Sequence, residues 1–331
     1  MGKEYEIGEA IKDLQENYGI AGSEYTDCET WEDLSYLHLP LPEEFIDKYS
    51  REVDWKGISI YQHLSESFIE KHADDVNWYD ISSYQWLSES FIDKYSDKIK
   101  WEFAVRDQKL SEKLIEKYLV YINWYKASTY QQLSEEFIDK YSDVVDWVQI
   151  SSWQKLTEDF IESHADKVNW ICVSIYQQLS ENFIRKHKNE LVLDDIARHQ
   201  VISLDFAKEL GVADIFLKHN NCLKPVSYWK EVVENTGLYE CHEDYFIAYK
   251  GLRFNRYGRK IFLYQYLPGK PCECFSDYSD DKCSFGLSAG IKETAENYCD
   301  KLVVRVKVYY EDVTAVNDNG EIRCKKMTAL E

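Results

Sequence analysis

From Leu41 onward the apolar positions of the chain recur with a period of 23 residues. Written in lines of that length the sequence falls into register: LPEEFIDKYSREVDWKGISIYQH from Leu41, LSESFIEKHADDVNWYDISSYQW from Leu64, then lines from Leu87, Leu110, Leu133, Leu156 and Leu179. A fixed period without insertions marks a stacked repeat array. In the line from Leu64, Phe68, Ile69 and His72 share one side of a short helix, as the helical period requires. Ser65 stands at its N-cap, and Glu66 beside it meets the positive end of the helix dipole. Ser or Thr recurs at Ser88, Ser111, Ser134, Thr157, Ser180 and Ser203, with Pro42 in the first line. Proline suits that place because the N–H it lacks has no partner at a helix start.

A second cap, Asp54, Asn77, Asn123, Asp146 or Asn169, directly precedes a tryptophan and opens a second helix such as WYDISSYQ. Helices this short are marginal alone in water, so each pair must stack on its neighbours. The pattern predicts an α-solenoid of stacked short helical pairs over residues 41–221, preceded by an N-terminal helix and capping region over 1–40. The lines degrade at both ends, around Trp31 and after Glu190, as capping units do.

Three recurrent columns read as structural. Trp55, Trp78, Trp101, Trp124, Trp147 and Trp170 supply buried area to a thin repeat. Gln62, Gln85, Gln108, Gln131, Gln154, Gln177 and Gln200 carry an amide able to bridge successive turns. His72, His164 and His187 alternate with Tyr49, Tyr95, Tyr118 and Tyr141 in a half-buried aromatic slot. The units differ between the tryptophan and the glutamine, where Lys56, Gly57, Tyr79, Asp80, Glu102, Phe103, Tyr125, Lys126, Val148, Gln149, Ile171 and Cys172 mix aromatic, apolar and charged groups. A repeat array displays such positions along one surface, so Tyr79, Asp80, Glu102, Phe103, Tyr125, Val148 and Gln149 are the candidate binding residues.

Beyond residue 222 the pattern changes. EDYFIAYKGLRF, RKIFLYQYLPG and LVVRVKVYYEDVTAV read as strands, KETAENYC as a helix, and HNNCLKPVSYWKEVVENTG as a bridging helix before them. The order strand, strand, helix, strand indicates a small α+β domain over 222–331, rich in cysteine.

Charge narrows the partners. The 331 residues carry a net charge of -21, with 43 Asp and Glu against 23 Lys and Arg in residues 1–221, and 17 against 16 beyond. Such a field repels phosphate and anionic lipid, which argues against direct nucleic-acid or membrane binding and favours a protein with a basic surface. Carboxylates at regular spacing also suit an acidic DNA mimic that inhibits a DNA-binding protein. With 44% apolar content the chain can bury a substantial core, no apolar stretch reaches the length of a membrane span, and the N-terminus lacks a signal-peptide core. Nine cysteines, an odd number without regular spacing, point to free thiols in a reducing compartment. Cys272, Cys274 and Cys283, with Cys241 and His242, are of the donor types that bind zinc, but Cys-X-Cys is not a usual zinc knuckle, so the sequence points to no metal and no cofactor.

The repeat lines, LSESFIEKHADDVNW above all, resemble those of uncharacterised repeat proteins of giant DNA viruses and large phages. SFGLSAGIKETAENYC and GEIRCKKMTALE resemble a domain that accompanies them. The resemblance implies a viral protein in the cytoplasm of the infected cell, engaging a host or anti-viral defence protein. FGLSAGIKETAENY followed by LVVRVKV is also similar to ADP-ribosyltransferase-like domains. That likeness implies Arg253 for phosphate contact, Ser288 as the strand-end hydroxyl and Glu321 as the catalytic carboxylate. The sequence departs from that family in carrying Lys250 where Arg or His belongs, and in lacking a Glu-X-Glu pair near Glu321.

Overall fold

The structure, a computed structural model, describes residues 6–20, 22–37, 39–252, 266–274, 276, 286–298, 302–317 and 319–330. Regularly repeating short helices occupy residues 7–236, and an antiparallel-sheet domain follows over 240–329. The chain forms two compact units, Met1–Ile122 and Asn123–Glu331. Among the described residues no helix is long and apolar enough to cross a membrane.

In the first unit the pairs Glu43–Lys48 with Trp55–Tyr61, Glu66–Lys71 with Trp78–Tyr84, and Glu89–Lys94 with Trp101–Asp107 repeat one geometry. The Ser65 hydroxyl accepts from the Phe68 N–H at 3.2 Å, and Asn77 caps the next helix by accepting from the N–H groups of Tyr79 and Asp80. Phe68, Ile69 and Ile81 are buried between layers. Each six- or seven-residue helix gains its stability from this packing, since it has too few internal hydrogen bonds to persist alone.

Side-chain ladders lock the layers. Gln85 accepts from the Leu64 N–H at 3.1 Å through Oε1, and its amide donates to the carbonyls of Ser59 and Gln62, each at 2.8 Å. Gln62 and Gln108 do the same one layer before and after. A serine ladder runs alongside: Ser59 donates to the Trp55 carbonyl at 2.6 Å and accepts from the Asn77 N–H at 3.0 Å. The Trp78 indole N–H donates to the Ala73 carbonyl at 2.8 Å while its ring packs against Tyr95 of the following layer. Glu43, Glu66 and Glu89 accept from the main-chain N–H of Ser65, Ser88 and Ser111. Main-chain groups that the short helices leave over are thereby satisfied by side chains.

The second unit continues the scheme through Gln154, Gln177 and Gln200. Its last rung differs in residue type. The helix Ala213–His219 ends a shortened repeat, and Asn220 donates to the carbonyls of Ala197 and Gln200 at 3.0 and 2.8 Å. The helix Val226–Thr236 then buries Trp229 and Val233 in the core of the sheet domain.

That domain has eight strands: β1 Glu240–Cys241, β2 Tyr245–Leu252, β3 Pro271–Glu273, β4 Leu287–Ala289, β5 Leu302–Tyr309, β6 Val313–Val316, β7 Ile322–Cys324 and β8 Lys326–Ala329. They form two antiparallel sheets, ordered β1-β2-β5-β8-β3 and β4-β7-β6. β2 and β5 pair from Tyr245↔Tyr309 to Leu252↔Leu302. Val304, Val306 and Val308 point into the core while Arg305 and Lys307 point out, the period-two alternation of a half-buried strand. The predicted helix is present as Lys292–Tyr298. β4 carries Ser288, where the transferase likeness implies a strand end, whereas β1, β3, β7 and β8 go beyond the sequence reading, because runs of two to four residues are too short to show an alternation. Most of the predicted strand RKIFLYQYLPG lies outside the described residues.

Candidate functional site

The second helices bury a short run of residues, Gly57, Ile58 and Ser59 in one and Ile81, Ser82 and Ser83 in the next, and leave their first turns more open. In the first unit Tyr79 is 57% exposed and Glu102 is exposed, whereas Asp80 and Phe103 are half-buried. Gly57 is buried: the Tyr36 ring lies on it, and a Cβ there would come within 2.6 Å of Tyr36 Cδ2. It therefore leaves the predicted binding face and serves packing. Tyr79 and Phe103 meet edge to face with centroids 5.8 Å apart. Lys100 sits over the Tyr79 ring at 5.1 Å and Arg106 over Phe103 at 5.3 Å.

Beneath that face Asp107 is buried, with Arg106 Nε at 2.8 Å from one oxygen and the Ser83 hydroxyl at 2.5 Å from the other. Asp80 differs from it. Its Oδ2 has no exposed surface and no hydrogen-bond partner, and burial pushes its pKa up, with Lys56 opposing.

In the second unit Tyr125 is 54% exposed and Val148 46%, with Gln149 half-buried. Gln149 Oε1 receives the Thr129 hydroxyl and the Trp153 indole N–H, each at 3.1 Å. Gln149 thus orders the face as well as lining it.

The sequence reading passed over further exposed apolar groups of the first unit. Tyr84 and Trp86 are exposed, as are Leu119, Val120 and Tyr121 in a 3₁₀ turn. The signal was available, since Val120 replaces the aspartate that sister repeats carry as Asp74, Asp97, Asp143 and Asp166.

In the sheet domain β2 and β4 are joined through Tyr249 and Gly290, whose main chains exchange hydrogen bonds at 2.8 and 2.9 Å. Ala289 pairs with Ile322, so β7 lies beyond β4. This order brings the half-buried Lys250 against Ser288: its ammonium donates to the Ser288 carbonyl at 2.5 Å and to the hydroxyl at 3.2 Å. Burial pushes the Lys250 pKa down, while Cys324 and Glu321 within electrostatic reach oppose the shift. Glu321 accepts from the Asn317 amide at 3.0 Å. Arg253, the third residue of the transferase-like set, lies outside the described residues.

Burial holds the Cys272 thiol up at about 11 and pushes Cys324 higher still, so both are protonated at neutral pH. Among the described residues no group of three or more His, Cys, Asp or Glu is placed to hold a metal ion, and Cys283 falls outside them. No known protein family, curated protein or solved structure matches the chain.

Proposed function

We propose that the chain is a protein-binding α-solenoid whose variable second-helix positions receive the partner, in each unit by its own face. One observation carries this reading: the recurrent Gln, Ser, Trp and first-turn Glu positions are engaged in ladders, while Tyr79 and Tyr125 remain more than half exposed. Exposed aromatics rimmed by charge are the usual anchors of protein interfaces. In the viral setting that the repeat resemblance implies, the partner is a host or anti-viral defence protein with a basic surface. Affinity capture from infected cells with the wild-type chain and a Tyr79→Ala/Phe103→Ala variant tests it. A protein retained by the first and lost by the second, with the melting transition preserved, is expected; equal retention overturns the reading. The DNA-mimic alternative has less support, because Glu43, Glu66, Glu89, Glu135, Glu158 and Glu181 are engaged with main-chain N–H groups of the next layer.

A second reading, a transferase-like site in the sheet domain, is favoured by the contact of Lys250 with Ser288 and by Glu321 within electrostatic reach of that lysine. A lysine can serve an anionic nucleotide as a point charge, though without the planar fork of arginine. Incubation with labelled NAD under reducing conditions checks it: label transferred to protein or nucleic acid by the wild type and not by Lys250→Ala supports the site, and no transfer overturns it.

A further inference from the structure

We infer that Tyr125, Val148 and Ile171 form a stripe that receives an amphipathic helix of the partner protein, with apolar residues seven apart and a basic group at the end that meets Asp194. The inference rests on the protein-binding reading and names what the face of the second unit recognises.

The three residues hold one position in successive layers, 23 residues apart, and are 54%, 46% and 55% exposed. The repeat does not demand apolar groups there, since the same position carries Lys56 and Glu102 in the first unit and Asp194 one layer after Ile171. Their helices, Trp124–Tyr130, Trp147–Trp153 and Trp170–Tyr176, pack side by side. The Gln154 and Gln177 rungs repeat the same hydrogen bonds from one layer to the next, so the stripe is in register. It advances by one helix-to-helix spacing, about 8–10 Å, per layer.

That advance selects the occupant. Seven residues of α-helix rise about 10.5 Å, and two turns bring a side chain back to nearly the same side. An extended strand repeats on one face every ~6.7 Å and falls out of step within a layer or two. A polyproline helix repeats every ~9.3 Å but docks in aromatic-lined grooves, whereas Val148 and Ile171 are aliphatic. Charge fixes the polarity. Residues 123–221 carry 16 Asp and Glu against 10 Lys and Arg, a field that draws in a basic segment. Lys126 follows Tyr125 at one end of the stripe, and Asp194 and Asp195 lie past Ile171 at the other, with Arg198 opposing them. Asp194 is exposed and forms no hydrogen bond or ion pair among the described residues.

The test titrates the full chain with helical peptides of alanine and glutamine that carry three leucines and one terminal charge, following main-chain amide resonances by NMR. Leucines seven residues apart, with a lysine seven beyond the last, are expected to give saturable shifts at Val148 and Ile171. Spacing the leucines five apart scatters them round the helix and should weaken binding at least about tenfold, as should Val148→Asp/Ile171→Asp. The melting transition of that variant should hold, because Asp194 already places an acid at this position of the repeat. Asp194→Lys should invert the preference for a terminal lysine over a terminal glutamate. Equal binding of the five-spaced peptide, tighter binding of a proline-rich peptide of three-residue period, an unchanged terminal preference in Asp194→Lys, or no saturable shift each overturns the inference. Capture of the partner by Val148→Asp/Ile171→Asp at wild-type level overturns it while leaving the protein-binding reading standing. Binding of the seven-spaced peptide that requires the stripe, in a chain that retains no protein, supports the stripe and counts against that reading alone.

Discussion

The Gln177 side-chain amide donates to the main-chain carbonyl oxygen of Gln154 across 2.8 Å, one layer back in the array. The same amide donates to the Ser151 carbonyl at 2.8 Å, and its own oxygen accepts from the Leu156 N–H at 3.0 Å. Three main-chain groups left over by short helices are satisfied by one side chain. No other uncharged side chain combines two donors and an acceptor at this length.

Replacing Gln154 tests that economy. Gln154→Ala orphans the Leu133 N–H and the carbonyls of Ser128 and Gln131, so a loss of roughly 2–4 kcal/mol is expected in chemical denaturation. Gln154→Glu should be worse at neutral pH, because a carboxylate then faces two carbonyls. Its deficit should shrink on acidification as the protonated group regains a donor.

Asp13 ties the helix Ile7–Asn17 to the first repeat through Lys48 at 2.9 Å, Tyr49 at 3.1 Å and Asn17 at 2.7 Å. Burial alone raises its pKa, but these hydrogen bonds and the Lys48 charge outweigh burial and hold it below the ordinary value. A depressed carboxyl contributes stability above its unfolded pKa and loses it as pH falls through the folded one. Asp13→Asn should therefore melt below wild type at neutral pH, and the two melting curves should converge in acid.

Asp80 carries the opposite sign. Its pKa is raised by burial, so its charge costs stability once pH passes the ordinary carboxylate range. Asp80→Ala should stabilise the free protein by about 1 kcal/mol at neutral pH, the orphaned-acceptor penalty less the helix-dipole gain of an acid in the first turn. A melting temperature equal to or below wild type contradicts this.

The described cysteines should separate by reactivity. Cys241 is exposed, whereas burial pushes the Cys222 and Cys272 thiols to about 11 and Cys324 higher. Since the thiolate is the nucleophile, alkylation followed by peptide mass mapping should label Cys241 first and Cys324 last. Unfolding should erase the order.

The sequence by itself determined the repeat. A 23-residue period, a Ser or Thr cap before every first helix but the one after Pro42, and an Asn or Asp cap before every ladder tryptophan but Trp101 are local signals, because helix starts need acceptors for free N–H groups and short helices need apolar faces. It also foretold that the glutamines bridge turns, though not which groups they join. Only the tertiary structure decided that Asn220 completes the ladder from a shortened repeat, that Gly57 is covered by Tyr36, and that Asp80 Oδ2 is left without a donor. The same holds for the meeting of Lys250 and Ser288, 38 residues apart in the chain. Each of these depends on which side chain a neighbouring layer or strand brings near. That is fixed by packing between segments distant in sequence, where periodicity carries no information.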